Sequence, residues 1–225
     1  MTANQLVRSS RELLDLELGR DVQRAFSLYA EQLLAWNERV NLTAITDPEA
    51  IVTRHFLDSL SVKMAITFTA GMRVVDVGTG AGHTAFALAP RVRAVEAVDL
   101  TEEMLEEARK LARKRGIRNV RFSLADAMSL PFGDRSFDIV TCRRAAHHFT
   151  DLERALAEMA RVLRLGGRLV IDDRSVPDDE DTAALINRLD AIHDPSHVKD
   201  RSPCEWSSLI QGTGLELLGM RPYRR

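Results

Sequence analysis

Val74-Val75-Asp76-Val77-Gly78-Thr79-Gly80-Ala81-Gly82 is the stretch whose reading decides the fold. Four residues, three of them valine, read as a strand buried on both faces. They run into three alternating glycines, where the backbone can turn sharply and approach a ligand with no Cβ in the way. The spacing is G-x-G-x-G, which differs from both the dinucleotide fingerprint and the phosphate loop. Working outward, short β-branched runs alternate with helical patterns. Strands are predicted at 73–77, 94–99, 120–123, 137–141 and 168–171. Between them the periodicity predicts helices over 101–115 and 151–163, the second opened by a capping box from Thr150 and Glu153. Strands separated by helices of that size imply parallel crossovers. The expected class is α/β: an open, doubly wound, mostly parallel sheet that binds ligands beyond the carboxyl ends of its strands.

The flanks differ in texture. Val22, Ala25, Phe26, Tyr29, Leu33, Trp36 and Val40 form one apolar helical stripe, and Asp47-Pro48-Glu49 opens a second predicted helix. Residues 1–70 are therefore expected to be a helical appendage, and 71–225 the sheet domain. After Asp172, helices are expected from the acidic run Asp178-Asp179-Glu180-Asp181 and from Ser202-Pro203-Cys204-Glu205, with a last strand at 215–218.

Composition narrows the class. The 225 residues carry 31 Lys or Arg against 33 Asp or Glu, a net charge of −2, which gives no global pull toward nucleic acid. No run of 18 apolar residues predicts a membrane span. Arg8, Arg11 and Glu12 interrupt the place where a secretory leader needs apolar residues. Cys142 and Cys204 are too few for a disulfide framework or a four-ligand zinc site. No metal is expected, and a cytoplasmic setting is.

Three acids end successive strands: Asp76, Asp99 (99 − 76 = 23 residues on) and Asp126 in Leu124-Ala125-Asp126-Ala127. Singly, each reads as a solvated loop or helix cap. Together they line the rim where such sheets bind ligands. An acid about 20 residues past the loop is where a ribose diol is held, and a carboxylate accepts both its hydroxyls strongly.

These residues resemble class I S-adenosylmethionine-dependent methyltransferases. The resemblance rests on VVDVGTGAG (74–82), AVDLTEEMLEEAR (97–109), LADAMSLPF (124–132), FDIVTCRRAAHHF (137–149) and ARVLRLGGRLVI (160–171). With DPSHVKDRSPCEW (194–206) it points to the type 11 branch, which includes the ubiquinone/menaquinone C-methyltransferases. The resemblance implies a Rossmann-like methyltransferase sheet with S-adenosyl-L-methionine as cofactor and S-adenosyl-L-homocysteine as product. It puts the methionine part beside Asp76, Gly78 and Gly80, the ribose on Asp99, Met104 near the adenine, and Asp126 with Ala127 at the adenine edge. Thr79, Gly82, Leu100 and Arg143 complete the expected cofactor set. The segment 142–148 would face the methyl, with His147 and His148 as candidate bases. Since the chain ends earlier than is usual in that branch, a shorter sheet and lid are implied.

A second resemblance covers residues 25–80. YAEQLLAWNERVNLTAITDPEAIVTRHFLDSLSV (29–62) is similar to the N-terminal part of bacterial 16S rRNA guanine-N7 methyltransferases, the glucose-inhibited-division B family. After the loop this chain has His83-Thr84-Ala85 where that family has Phe-Pro-Gly. The first seventy residues hold seven bases and nine acids, with no basic footprint. A basic run from Arg109 to Arg121 shares its helix with Glu102, Glu103, Glu106 and Glu107, an arrangement the helix dipole favours. A small-molecule acceptor is therefore expected ahead of 16S rRNA. A catalytically silent S-adenosylmethionine-binding module is the third reading.

Overall fold

The computed structural model describes residues 68–221 continuously, with isolated positions before them. The helices predicted at 22–40 and from Asp47 lie outside this continuous stretch. The chain divides into two compact units, residues 1–67 with 223–225, and Phe68–Pro222.

The second unit is a five-stranded sheet. Its strands are β1 (Arg73–Val77), β2 (Ala94–Asp99), β3 (Val120–Leu124), β4 (Phe137–Arg143) and β5 (Leu163–Asp172). They lie in the order β3-β2-β1-β4-β5, and every pairing is parallel. Helices α1 (His83–Leu88), α2 (Glu102–Lys114) and α3 (Leu152–Val162) make the crossovers, and α4 (Glu180–His193) and α5 (Pro203–Gly212) follow β5. The strand order reverses between β1 and β4, so the crevice of a doubly wound sheet opens at their carboxyl ends. Among the described residues no helix is long and apolar enough to cross a membrane.

The core follows the two periodicities. Val74, Val75 and Val77 of β1 are buried on both faces, as are Ile139 and Val140 of β4. Helix α2 buries Leu105, Ala108 and Ala112, and α3 buries Leu152, Ala155, Leu156 and Met159. Each large aliphatic side chain so buried contributes roughly 1.5–3 kcal/mol.

The departures from expectation are local. Asp151 caps α3, accepting from Arg154 N at 3.0 Å, while the Thr150 hydroxyl turns to Met128 Sδ, so a single side-chain cap one residue on replaces the predicted capping box of Thr150 and Glu153. Strand β5 begins at Leu163 instead of 168. Gly166 (φ +73°) and Gly167 read as a break, but they form an irregularity against Phe137–Ile139, and the pairing resumes beyond it. Residues 215–218 form no strand. An extended run becomes a strand only beside a free edge, and here the Leu215 amide bonds Thr213 Oγ1 at 3.3 Å.

The glycine loop is held against the segment after β4. Gly78 has φ +68°, and a Cβ there would overlap the Cβ of Ala145. Gly80 has φ +53°, yet nothing lies within 4 Å of its Cβ position. Gly78→Ala should therefore cost about 2–5 kcal/mol, the sum of left-handed strain and overpacking. Gly80→Ala should cost only about 1–2 kcal/mol. Urea unfolding of both variants checks this, and Ala145→Gly should return part of the loss in Gly78→Ala but nothing in Gly80→Ala.

Candidate functional site

Asp76 sits at the floor of the crevice, 1% exposed. Its Oδ1 accepts from Thr141 Oγ1 at 2.6 Å and its Oδ2 from Thr79 Oγ1 at 2.7 Å. Asp76 and Thr141 are register partners across β1 and β4, so the sheet itself makes the first bond. Burial pushes the carboxyl up to about 6 against these bonds and the nearby charge of Arg143. Arg143 in turn donates from Nε to Thr84 Oγ1 at 3.2 Å. A carboxylate kept from water by its fold is a ready partner for a cationic group of a ligand. Thr79 serves here through Asp76, its hydroxyl turned inward.

Asp99 ends β2 beside the glycine loop. Its Oδ2 accepts from Gly80 N at 2.7 Å and its Oδ1 from Thr101 N at 3.0 Å. Each oxygen has a further lone pair for a diol. Next to it Leu100 is 70% and Met104 48% exposed. Two large apolar side chains left in solvent beside a half-buried carboxylate match a flat apolar ring that ends in hydroxyls. Asp126 Oδ1 caps its own turn, accepting from Met128 N at 2.8 Å, with buried Ala127 behind it. The open space over Gly80 completes the cradle. Gly82, at φ +84°, instead faces the Phe86 and Phe122 rings, which makes it a packing glycine. The acceptors, the apolar cover and the bare loop fit a nucleoside bearing a cationic side chain.

Beyond β4 the chain enters a short 3-10 turn, Ala146–His148. The His147 and His148 rings lie 4.0 Å apart. His147 Nδ1 meets Asp173 Oδ1 at 2.6 Å, and its backbone N–H donates to Asp173 Oδ2 at 3.1 Å. His148 Nδ1 meets the Ser196 carbonyl at 3.0 Å. The residues after α4 roof this turn: Val198 N and Lys199 N both donate to the His147 carbonyl. Asp173 had no motif to announce it. The one available signal was its place just past the fifth strand, one step beyond Asp172.

Other polar residues have structural duties. His193 is exposed at the end of α4. His197 is buried, with Nε2 on Asn187 Oδ1 at 2.9 Å and Nδ1 on Arg174 Nη2 at 3.0 Å. Asp190, His197 and Asp200 bring ligand-type atoms within 4.8 Å of one another. The Arg174 guanidinium lies among them, 3.2 Å from Asp190 and 3.1 Å from Asp200, so this position already holds a cation. Cys142 is buried under the rim, and burial raises its thiol well above the usual range. In the basic run, Arg109 pairs with Glu102 and donates to the Phe122 carbonyl, Lys110 pairs with Glu107, Arg121 pairs with Glu96, and Arg115 stacks over Phe86.

The family described as a methyltransferase domain matches residues 68–211. The methyltransferase YcgJ of Bacillus subtilis is 47% identical over 143 residues, 64% of this chain and 56% of its own length. The crystal structure of that protein superposes with a TM-score of 0.67 at 44% identity, covering 69% of this chain and 67% of the other. Ribosomal RNA small subunit methyltransferase G of Desulfitobacterium hafniense is 35% identical over 167 residues, covering 72% of this chain and 67% of that protein. Demethylmenaquinone methyltransferase of Thermus thermophilus is 46% identical over 101 residues, or 44% and 46% of the two chains.

The buried carboxyl gives a pH signature. Its folded value of about 6 lies above the ordinary 3.8, so the folded state holds the proton more tightly. The associated stability is complete below the unfolded value and lost as pH rises through the folded one, by about 3 kcal/mol in all. Asp76→Asn should remove this dependence. Urea melts at about pH 4 and about pH 7.5 should show the variant gaining on the natural protein by roughly that amount across the interval.

Proposed function

We propose that this chain, which belongs to the methyltransferase family, transfers a methyl group from S-adenosylmethionine to a small-molecule acceptor. The observation that carries the cofactor reading is the crevice at the β1/β4 switch point. There a dry carboxylate, a second carboxylate with spare lone pairs, exposed Leu100 and Met104, and an open glycine converge. Asp76 with Gly78 and Gly80 serves the methionine part, Asp99 the ribose, and Met104, Leu100, Asp126 and Ala127 the adenine. Arg143 balances the charge of Asp76. The cofactor supplies an activated methyl on a sulfonium, and the protein's task is to align an acceptor with it, worth about 7–11 kcal/mol. Residues 71–225 are the transferase domain in this reading, and 1–70 the helical appendage, in a cytoplasmic setting.

The small-molecule acceptor is favoured over rRNA by the state of the basic run. Four of its seven cations, Arg109, Lys110, Arg115 and Arg121, are engaged within the molecule, and polyanion binding draws on cations free to replace counterions. The relatives' names point both ways, to a menaquinone precursor and to ribosomal RNA. The chain spans 56% of YcgJ, so the whole protein's acceptor stays part of the proposal.

Two experiments test it. Asp99→Ala should weaken binding of the cofactor about ten- to a hundredfold in calorimetric titration, since two charge-assisted hydrogen bonds go; undiminished affinity refutes the ribose assignment. Tritiated methyl donor offered to 30S subunits, naked rRNA and a small-molecule extract should label the extract. Label in the RNA instead transfers the reading to 16S rRNA, and label in none favours a silent binding module.

A further inference from the structure

We propose that Asp173 is a positioning residue that makes His147, and not His148, the general base, and that the acceptor is one with a proton to lose, a hydroxyl, a phenol or an enolisable carbon. The inference rests on the methyl-transfer reading above.

Asp173 has a side chain only 1% exposed. Its Oδ1 accepts from His147 Nδ1 at 2.6 Å and from Arg174 N at 2.8 Å, and its Oδ2 accepts from His147 N at 3.1 Å. Two of these donors are backbone amides, so the carboxylate plane is held independently of the imidazole. An ionised carboxylate only accepts, so His147 Nδ1 must carry the proton. In the neutral ring the lone pair is then on Nε2, which has no hydrogen-bond partner among the described residues. The backbone of this residue and one side of its ring are also held. Its own carbonyl takes Val198 N at 2.9 Å and Lys199 N at 3.1 Å, and the His148 ring packs at 4.0 Å.

His148 also has its Nδ1–H directed at an acceptor, but that acceptor is the Ser196 carbonyl. The Ser196 hydroxyl, 3.1 Å from the same nitrogen, donates to Asp194 Oδ1 at 2.6 Å, so the nearest carboxylate stands one hydroxyl away from His148. A carbonyl orients a ring, whereas a carboxylate also stabilises the imidazolium that forms when the base takes a proton. Of the two, only His147 has its carboxylate in direct contact.

The chemistry of the acceptor follows. A base helps only where the nucleophile must give up a proton. A guanine N7 presents a free lone pair and would leave an oriented, carboxylate-backed imidazole with nothing to do. In the proposed step the acceptor's O–H or C–H proton goes to His147 Nε2 as the acceptor's own oxygen or carbon bonds to the methyl carbon. The electron pair of the broken carbon–sulfur bond stays on sulfur, giving the neutral thioether product. The imidazolium returns its proton to solvent.

The orientation is testable without turnover. Long-range ¹H–¹⁵N spectra of the cofactor-free protein, labelled at histidine, should show His147 as the Nδ1–H tautomer. In Asp173→Ala that signature should be lost, while His148 keeps its own. An Nε2–H tautomer for His147 in the natural protein overturns the proposal, and so does an unchanged tautomer in Asp173→Ala. The natural protein alone decides the first point, so a variant that fails to fold does not shelter the idea. In the labelling assay, His147→Gln and Asp173→Ala should each lower turnover on the extract about 10²–10⁴-fold with cofactor affinity retained. His148→Gln should lose less than tenfold; the reverse order of losses refutes the choice of base. Because the tautomer is read without methyl donor, its outcome is separate from that of the methyl-transfer reading.

Discussion

A carboxylate without water joins the two halves of this sheet. Asp76 reaches across the β1–β4 register to Thr141 with one oxygen and forward to Thr79 with the other. Both hydroxyls must therefore point inward, which fixes the first turn of the glycine loop. Gly78 must lie under Ala145, which fixes where the chain goes after β4. Asp99 then takes the Gly80 amide and ties the loop to β2. Three strand ends are thus locked to one loop by four short contacts. The cost is a buried acid whose proton affinity is raised. Such a cost is found where a site must be preorganised, and a cationic ligand group would offset it.

The second layer of organisation lies on the other side of the switch point. Asp173 and Arg174 leave β5 in succession and face different networks. Asp173 holds the His147 turn, and Arg174 gathers Asp190, His197 and Asp200 beneath the segment that roofs that turn. The His197 tautomer follows from its partners. Asn187 Oδ1 also accepts from Asp200 N, so it is the amide oxygen, and His197 Nε2 must donate to it. Nδ1 is then left to accept from Arg174. A cluster whose composition suits a metal is in this way a guanidinium-centred strut that carries the roof.

Charge on the outer surface is similarly spent within the molecule. Helix α2 has acids at its amino end and bases at its carboxyl end. Individually these exposed pairs contribute little, about 0–1 kcal/mol. Their consequence is for function: four of the seven cations in the basic run that composition alone could assign to RNA meet Glu102, Glu107, Glu96 and the face of Phe86.

By itself the sequence determined the parallel α/β sheet, since buried strands and amphipathic crossovers have periodicities that survive without tertiary context. It placed Asp76, Asp99 and Asp126 at strand ends, because strand ends follow from the same periodicity. It marked the start of α5 as well, where Ser202 and Glu205 form a capping box. Only the tertiary structure decided what depends on distant pairing. The fifth strand runs through Gly166-Gly167, which local propensity reads as a stop, because β4 supplies a ladder on the far side of the irregularity. Residues 215–218 have strand composition, but among the described residues no strand pairs with them. Gly78 and Gly80 look alike in sequence, yet Ala145, 65 or more positions away in the chain, fills the space over one and leaves the other open. Asp173 became visible only when β5 was laid beside β4, since a carboxylate and an imidazole 26 residues apart share no local pattern. Local chemistry sets which elements form; contacts between remote residues set which of their side chains meet.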